Sequence, residues 1–146
     1  MIRAALVDRV IEPADLLAEV ATPRSGATAL FIGTVRETND GRAVTAIDYA
    51  SYVAMAEGEL ERIAREAGEK FGVDFLVVEH RVGMLQLMET SVAIAASHAH
   101  RHPAMDCTRW VIEEIKTRVP IWKREHYADG SRDWVDPAPR SEKVAP

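Results

Sequence analysis

Basic and histidine side chains are concentrated between His98 and Glu125, although the 146-residue chain has a formal net charge of −5. This segment carries six of the 18 lysine and arginine residues and three of the five histidines, but few carboxylates. Clustered cations raise the local concentration of anions, so the segment is a candidate binding site for an anionic ligand. A solvent-exposed basic helix end would show the same charge pattern, and charge alone does not separate the two interpretations.

Lys116 and Lys123 are the candidate reactive cations of this segment. Pro120 disfavours helical geometry at the residue before it, which predicts a helix that ends near Arg118. Lys116 then lies in the last helical turn and Lys123 in the following strand, an arrangement that lets both ammonium groups enter one pocket. The alternatives are a C-terminal cation favoured by the helix dipole for Lys116, and an exposed strand position for Lys123.

Three further residues extend this hypothesis. Arg36 follows an apolar strand and begins a glycine-containing loop, the kind of position that often carries functional side chains. His100 and Arg101 precede a predicted helix, and helix starts favour anions. The spacing therefore permits an anion pocket built from Arg36, His100, Arg101, Lys116 and Lys123, without showing that these five side chains meet.

The histidines also allow a metal site. In an extended segment His98, His100 and His102 would lie on one side of the chain, and imidazole is a common zinc ligand. Arg101 inside the cluster, the proline that follows and the lack of a carboxylate among them argue against a metal. A metal centre remains the alternative to an anion site.

The elements that must position these residues follow from hydrophobic periodicity and turn residues. Strands are predicted at Met1–Ile11, Ala27–Val35, Val44–Tyr52, Val73–Val82, Ser91–Ser97, Trp122–Tyr127 and Ser131–Val135, and helices at Pro13–Glu19, Ala54–Phe71 and Pro103–Arg118. Val44–Tyr52 is expected to return antiparallel to Ala27–Val35 after a polar loop, and Gly33 indicates a bulge or a close backbone approach. The fold class is thus α+β: antiparallel strands carry two long helices in one domain over residues 1–136, and residues 137–146 are expected to be disordered.

Bulk properties narrow the function. No apolar run approaches the roughly 20 residues that span a bilayer, and the N-terminus does not resemble a signal peptide, so a cytoplasmic protein with no membrane partner is expected. The acidic balance argues against a general nucleic-acid binder. Cys107 is the only cysteine, which excludes an internal disulfide, and its place on an apolar helical stripe predicts burial. The chain therefore has no obvious sulfur donor of its own.

Six segments within residues 27–135 carry a family resemblance, and they follow one another in the order typical of that family. They are Phe31–Arg36, Tyr49–Ala56, Val78–Gly83, Ala99–Arg101, Glu114–Glu125 and Trp134–Val135. The run KTRVPIWKRE, from Lys116 to Glu125, is the most specific. Together they resemble the large, catalytic subunit of molybdopterin synthase. Two local departures are Ala50 and Ser51, where relatives often have a glutamate, and the 84–89 connection, which lacks the glycine usual before its glutamate.

The resemblance implies an α/β-hammerhead fold and a homodimer flanked by two copies of a small, ubiquitin-like sulfur-carrier subunit, a heterotetramer. The C-terminal Gly-Gly thiocarboxylate of the carrier would enter a pocket of the large subunit. Two sulfurs would pass to cyclic pyranopterin monophosphate and form the dithiolene of molybdopterin. The resemblance thus implies a cytoplasmic sulfurtransferase without a cofactor, in which Cys107 need not react.

The resemblance also assigns roles to individual residues. It places Lys116 nearest the thiocarboxylate and makes Lys123 a second essential lysine. It assigns binding of the phosphate-bearing substrate to Arg36, His100 and Arg101, and neighbouring substrate contacts to Thr34, Val35, Arg124 and Glu125. Two alternatives stay open: a metal-binding enzyme built on the histidines, and a non-catalytic module that binds the carrier tail.

Overall fold

Hydrophobic periodicity produces strands and helices throughout residues 1–135, the part of the chain that the computed structural model describes. The predicted disorder of residues 137–146 lies outside the described residues. The strands are β1 (Ile2–Val7), β2 (Ala27–Thr34), β3 (Thr38–Asn39), β4 (Arg42–Ser51), β5 (Phe75–Arg81), β6 (Gly83–Gln86), β7 (Thr90–His98), β8 (Ile121–Tyr127) and β9 (Arg132–Val135). The helices are α1 (Pro13–Val20), α2 (Val53–Phe71) and α3 (Arg101–Arg118).

All three helices lie where the sequence predicts them. Helix α2 ends at Gly72, and α3 ends at Arg118, two residues before Pro120. Helix α3 begins two residues earlier than predicted, so that Pro103 lies in its first turn. A proline is tolerated there because the first N–H groups of a helix have no intrahelical acceptor. None of these helices combines the length and the apolar character needed to cross a membrane.

The first sheet has the strand order β1-β5-β7-β2. Strands β5, β7 and β2 pair antiparallel as expected, but β1 pairs parallel with β5. The prediction of antiparallel strands alone is therefore wrong at this edge. A parallel neighbour needs a long crossover, and the chain between β1 and β5 supplies one that includes α2.

The second sheet is built around β4, which pairs with β3, β6 and β8, and β9 pairs with β8. The predicted hairpin between Ala27–Val35 and Val44–Tyr52 is wrong, because β2 pairs with β7 and β4 belongs to this other sheet. The apolar face of β4 joins a separate core formed by Val35, Val44, Ile47, Leu85 and Tyr127. The predicted β8–β9 hairpin is confirmed.

Helices α2 and α3 cover one face of the first sheet, and α1 covers the other. Cys107 lies fully buried in the larger of these two cores, as predicted. Gly33 is both a bulge and a close approach: the register shifts after it, and a Cβ at this position would lie 2.7 Å from Val92 Cγ1. This close contact joins the end of β2 to β7, just before the loop that carries Arg36.

Candidate functional site

Strand β2 and helix α3 lie side by side and run in the same direction. They begin together, because Ala27 pairs with His98 and a Cβ at Gly26 would lie 2.7 Å from the Ala99 carbonyl oxygen. They also end together: Arg36, two residues beyond β2, is close enough to Lys116 in the last turn of α3 to lower its pKa. The parallel course of these two elements therefore brings Arg36 to Lys116.

The C-terminal end of α3 is fixed to α2 by Arg118. Its guanidinium donates hydrogen bonds to Glu59 at 2.7 Å and to Glu66 at 2.6 Å, both on α2. Glu114, one turn earlier on α3, lies 3.6 Å from the same guanidinium. We refer to these four residues as the Arg118 cluster. The cluster holds the backbone of the turn that presents Lys116.

The amine of Lys116 titrates below the range of an ordinary lysine. Partial burial lowers the pKa of Lys116, and the positive charges of Lys123 and Arg36 lower it further. The residue as a whole is exposed, so protein atoms and neighbouring charge act on the ammonium while solvent still reaches the side chain. A lowered pKa increases the neutral fraction of the amine, which then acts as a nucleophile or as a proton acceptor.

Lys123 enters the site from β8. It lies opposite Tyr49 of β4 in the sheet, and its ammonium is 3.3 Å from Glu125 Oε1. The Glu125 side chain is completely buried. Because side chains alternate along a strand, Lys123 and Glu125 share one face of β8.

Arg124 occupies the opposite face of β8. Its guanidinium lies 3.4 Å from Asp48 Oδ2 and 4.9 Å from the centre of the Trp134 ring. The structure thus separates Arg124 from the ammonium of Lys123, its neighbour along the chain.

A small cavity of about 20 Å³ lies against the Lys116 side chain. This volume suits a single water molecule. Its polar wall includes Tyr49 and His80, whose rings meet edge to face at 5.3 Å. Burial lowers the pKa of His80 to about 4, and the charge of Lys116 contributes to the shift. His80 is therefore neutral at pH 7, and since its Nδ1 lies 2.9 Å from the Arg81 carbonyl oxygen, that nitrogen carries the proton.

His80 and Tyr49 are site residues that sequence reasoning missed. Both lie inside segments that carry the family resemblance, but neither received a role. In an apolar strand such as β5, a single histidine has the pattern of a satisfied core residue. Tyr49 lies on β4 and His80 on β5, which belong to different sheets. The sequence does not indicate that these two rings come into contact.

The segment Thr34–Arg36 is anchored at its centre. Val35 is buried, its N–H donates to the Glu89 carbonyl at 3.1 Å, and its own carbonyl accepts from the Met88 N–H at 2.8 Å. Thr34 and Arg36, on either side, are exposed. Met88 has a φ of 72°, so it occupies a left-handed position just before Glu89. A methionine therefore holds the left-handed position of the turn that supports Arg36.

His100 and Arg101 do not reach this pocket within one chain. His100 is the N-cap of α3 and Arg101 its first residue. Fifteen residues separate Arg101 from Lys116, which corresponds to about 22 Å along a helix. The pocket of five residues that the spacing permitted therefore does not form in a single chain. Arg36 and Lys123 lie close enough to Lys116 to lower its pKa, and the other two residues lie at the opposite end of α3.

The histidine cluster does not have the geometry of a metal site. His98 Nδ1 accepts a hydrogen bond from the backbone N–H of His100 at 2.9 Å, and the two rings are 5.9 Å apart. Within residues 1–135, no three His, Cys, Asp or Glu side chains are grouped so that they could hold a metal ion.

These observations define a cationic site, in which an amine with a lowered pKa lies near two further cations. Burial raises the pKa of Cys107 to about 12, so its thiol stays protonated and takes no nucleophilic part.

Comparison with known proteins identifies the family. The chain matches the model of the MoaE protein over residues 6–118 and belongs to that family. A molybdopterin synthase catalytic subunit from Thermoplasma volcanium is 41% identical over 129 residues, covering 88% of this chain and 94% of that protein. One from Emericella nidulans is 40% identical over 129 residues, covering 88% of this chain but 66% of that longer protein.

The fold is shared as well. The crystal structure of molybdopterin synthase from Staphylococcus aureus matches with a TM-score of 0.84 at 34% identity, covering 90% of this chain and 95% of that chain. The predicted family and fold class are both confirmed.

Proposed function

We propose that this chain is the catalytic subunit of a molybdopterin synthase. It would transfer sulfur from a thiocarboxylated carrier protein to cyclic pyranopterin monophosphate and so form the dithiolene of molybdopterin. One observation carries the proposal. The charges of Lys123, on β8, and of Arg36, in the loop after β2, act on the amine of Lys116 at the end of α3 and lower its pKa. Family membership supports the same assignment. A free, buried cysteine such as Cys107 is typical of proteins in the reducing cytoplasm.

The three cations suit this chemistry because the carrier thiocarboxylate, the substrate phosphate and the charge that develops during the reaction are all negative. The thiocarboxylate and the phosphate of the substrate both carry negative charge, and charge also develops on the acyl oxygen when the acyl–sulfur bond breaks. Fixed cations stabilise that charge without reorganising at the moment of reaction. Once the carrier sulfur is bonded to the pterin, neutral Lys116 would either accept a proton from a water that attacks the acyl carbon or attack that carbon itself. In both cases the acyl–sulfur bond breaks: the sulfur stays on the pterin as a thiolate, and the carrier leaves as a carboxylate or is held as a lysine amide that water must then hydrolyse.

A groove of about 610 Å³ between β2 and α3 offers a path for the carrier tail. Its walls include Leu30 and Phe31 on the strand and Met105 and Ile112 on the helix. Within residues 1–135, the outer edge of β2 has no neighbouring strand. An extended Gly-Gly tail would add to this edge by backbone hydrogen bonds. Its end would then arrive at Lys116, one turn beyond Ile112 on the same helical face.

His100 and Arg101 would join the site in a symmetric dimer. Since they lie about 22 Å from Lys116 along α3, a second copy of the chain would have to supply them to the first. A two-fold arrangement provides both sites reciprocally, because each chain then gives its α3 start to the other. This arrangement reconciles the substrate-binding role predicted for His100 and Arg101 with their position.

Lys116→Ala tests the proposed function. The purified variant, mixed with thiocarboxylated carrier and cyclic pyranopterin monophosphate, should form at least about 100-fold less molybdopterin than the wild type, with an unchanged unfolding midpoint. Lys70→Ala is the matched control, since Lys70 is an exposed lysine on α2, and it should keep full activity. Near-normal turnover by Lys116→Ala would refute the role, and carrier binding without turnover by the wild type would indicate a non-catalytic module.

Subunit mixing tests the shared site. Inactive Lys116→Ala and Arg101→Ala chains, unfolded and refolded together, should recover about a quarter of wild-type activity, because half of the dimers are mixed and each has one intact site. If the two residues act within one chain, the mixture stays inactive.

A further inference from the structure

The loop after Arg36 folds back on itself as a two-residue hairpin. Strand β3 pairs with the start of β4, with Thr38 opposite Ala43 and Asn39 opposite Arg42. The two residues between them, Asp40 and Gly41, have φ values of 49° and 78°. Positive φ at both central positions is typical of the tight turns that match the twist of a hairpin. The backbone of Asn39 is therefore fixed by the pairing of β3 with β4.

Both ends of the Asn39 side chain are hydrogen-bonded to site residues. Asn39 Nδ2 donates to Glu125 Oε1 at 2.7 Å, and Asn39 Oδ1 accepts from Arg36 Nη2 at 3.4 Å. The same Glu125 oxygen lies 3.3 Å from the Lys123 ammonium. Four side chains thus form one continuous series, which we call the Arg36–Lys123 chain.

The centre of this series is a carboxylate with no exposed surface. Glu125 is 0% exposed, and a buried carboxylate needs donors to replace the water that it has lost. Asn39 and Lys123 are two such donors on one oxygen. Without Asn39, Lys123 would be left to compensate the negative charge of this Glu125 oxygen, and its ammonium would move towards Glu125, away from the pocket. Arg36 would lose its contact in the same loop.

We propose that Asn39 is a positioning residue, whose amide sets the relative places of Arg36 and, through Glu125, of Lys123. This inference rests on the proposed function, because it concerns the same pocket. It also gives Glu125 a role. The Glu125 carboxylate lies beneath the surface that the substrate would touch, so direct substrate contact does not explain this residue. Positioning groups of this kind matter because a displacement of about 1 Å in a catalytic group can lower a rate by about 100-fold.

Two substitutions at Asn39 separate its two contacts. Asn39→Asp keeps an oxygen that accepts from Arg36 but replaces the donor to Glu125 with a second carboxylate oxygen. Its kcat should fall by roughly 10- to 100-fold, with KM for the pyranopterin within about twofold of the wild type. Asn39→Ala removes both contacts, so kcat should fall and KM should rise. Thr38→Ala, on the same short strand at an exposed position, should change neither constant.

A spectroscopic measurement tests the geometry without substrate. In the full-length protein, one side-chain amide proton of Asn39 should resonate downfield and exchange slowly, as a donor to a buried carboxylate does. Both features should be weaker in Glu125→Gln, whose neutral amide oxygen is a poorer acceptor than a carboxylate. An Asn39 amide that exchanges freely in the folded wild type would overturn the proposal.

The kinetic outcomes distinguish failure of the proposed function from failure of the positioning role of Asn39. If Lys116→Ala keeps its turnover, the proposed function itself fails. If Lys116→Ala is inactive while Asn39→Asp and Asn39→Ala both keep wild-type kcat and KM, the positioning role fails and the proposed function stands. If a folded Asn39→Ala variant loses stability but keeps both kinetic constants, the role of Asn39 is structural and the proposal is equally overturned.

Discussion

Gly33→Ala should destabilise the protein through a single contact. Gly33 lies directly opposite Val92 in the β2–β7 pair, and an added Cβ would lie 2.7 Å from Val92 Cγ1. Carbon atoms are in favourable contact at about 3.5–4.0 Å, so the strands or the valine must move by roughly 1 Å. Val92 is 4% exposed and packed in the main core. Overpacking of this kind costs about 1–3 kcal/mol of the free energy of unfolding.

Urea unfolding at one fixed protein concentration, followed by circular dichroism, measures this cost. Val92→Ala removes the atom that clashes and should by itself cost roughly 2 kcal/mol through lost burial and the cavity left behind. In the double variant the clash is absent, so the loss should be smaller than the sum of the single losses by about 1 kcal/mol or more.

Gly58→Ala is the matched control, because it makes the same chemical change where there is room. A Cβ at Gly58, in α2, has Arg62 Nη2 as its near neighbour at 3.8 Å, and alanine is favoured over glycine in a helix by about 1 kcal/mol. This variant should therefore be more stable than the wild type. The predicted clash at Gly33 is refuted if Gly33→Ala unfolds at the wild-type urea concentration, or if the losses of Gly33→Ala and Val92→Ala add within about 0.5 kcal/mol.

Two further variants test individual residues. Met88 is 85% exposed with a φ of 72°. Met88→Gly should raise the free energy of unfolding by about 0.5–1 kcal/mol, because glycine adopts the left-handed conformation without strain and little burial is lost. A loss of stability in urea would contradict this prediction. His80, with its pKa lowered to about 4, should keep the ring resonances of a neutral imidazole in an NMR pH series until the pH falls towards 4. In the unfolded chain His80 binds a proton at a higher pH than in the folded protein. The free energy of unfolding therefore falls as the pH drops from about 6.5 towards 4, by up to about 1.4 kcal/mol per pH unit. His80→Gln should show a shallower decline.

Local chemistry in the sequence predicts the helices and most strands well. The end of α3 follows from Pro120, and the core stripe of α2 follows from the spacing of Ala56, Leu60 and Ile63, all of which are buried. Such features depend on neighbours within one or two helical turns, and periodicity reports them directly. The same is true of the buried position of Cys107.

Strand pairing was predicted less well, since it depends on residues far apart in the sequence. The alternation in Val44–Tyr52 identifies a strand but not its partner, and β4 pairs with β8 rather than with β2. Strand β3 has two residues and β6 four, too few for a periodic pattern. The separation of Arg101 from Lys116 follows from helix geometry, but the dimer that would bring copies of them together leaves no mark in one chain.

The Arg118 cluster has a consequence for how the pocket meets its ligand. Because the last turn of α3 is already fastened to α2 before anything binds, the backbone beneath Lys116 loses little freedom on association. The entropy of ordering that backbone is lost during folding, and only the lysine stem remains to be immobilised. Preorganisation of this sort would strengthen binding of the proposed carrier tail, whose own flexibility would then be the main unfavourable contribution.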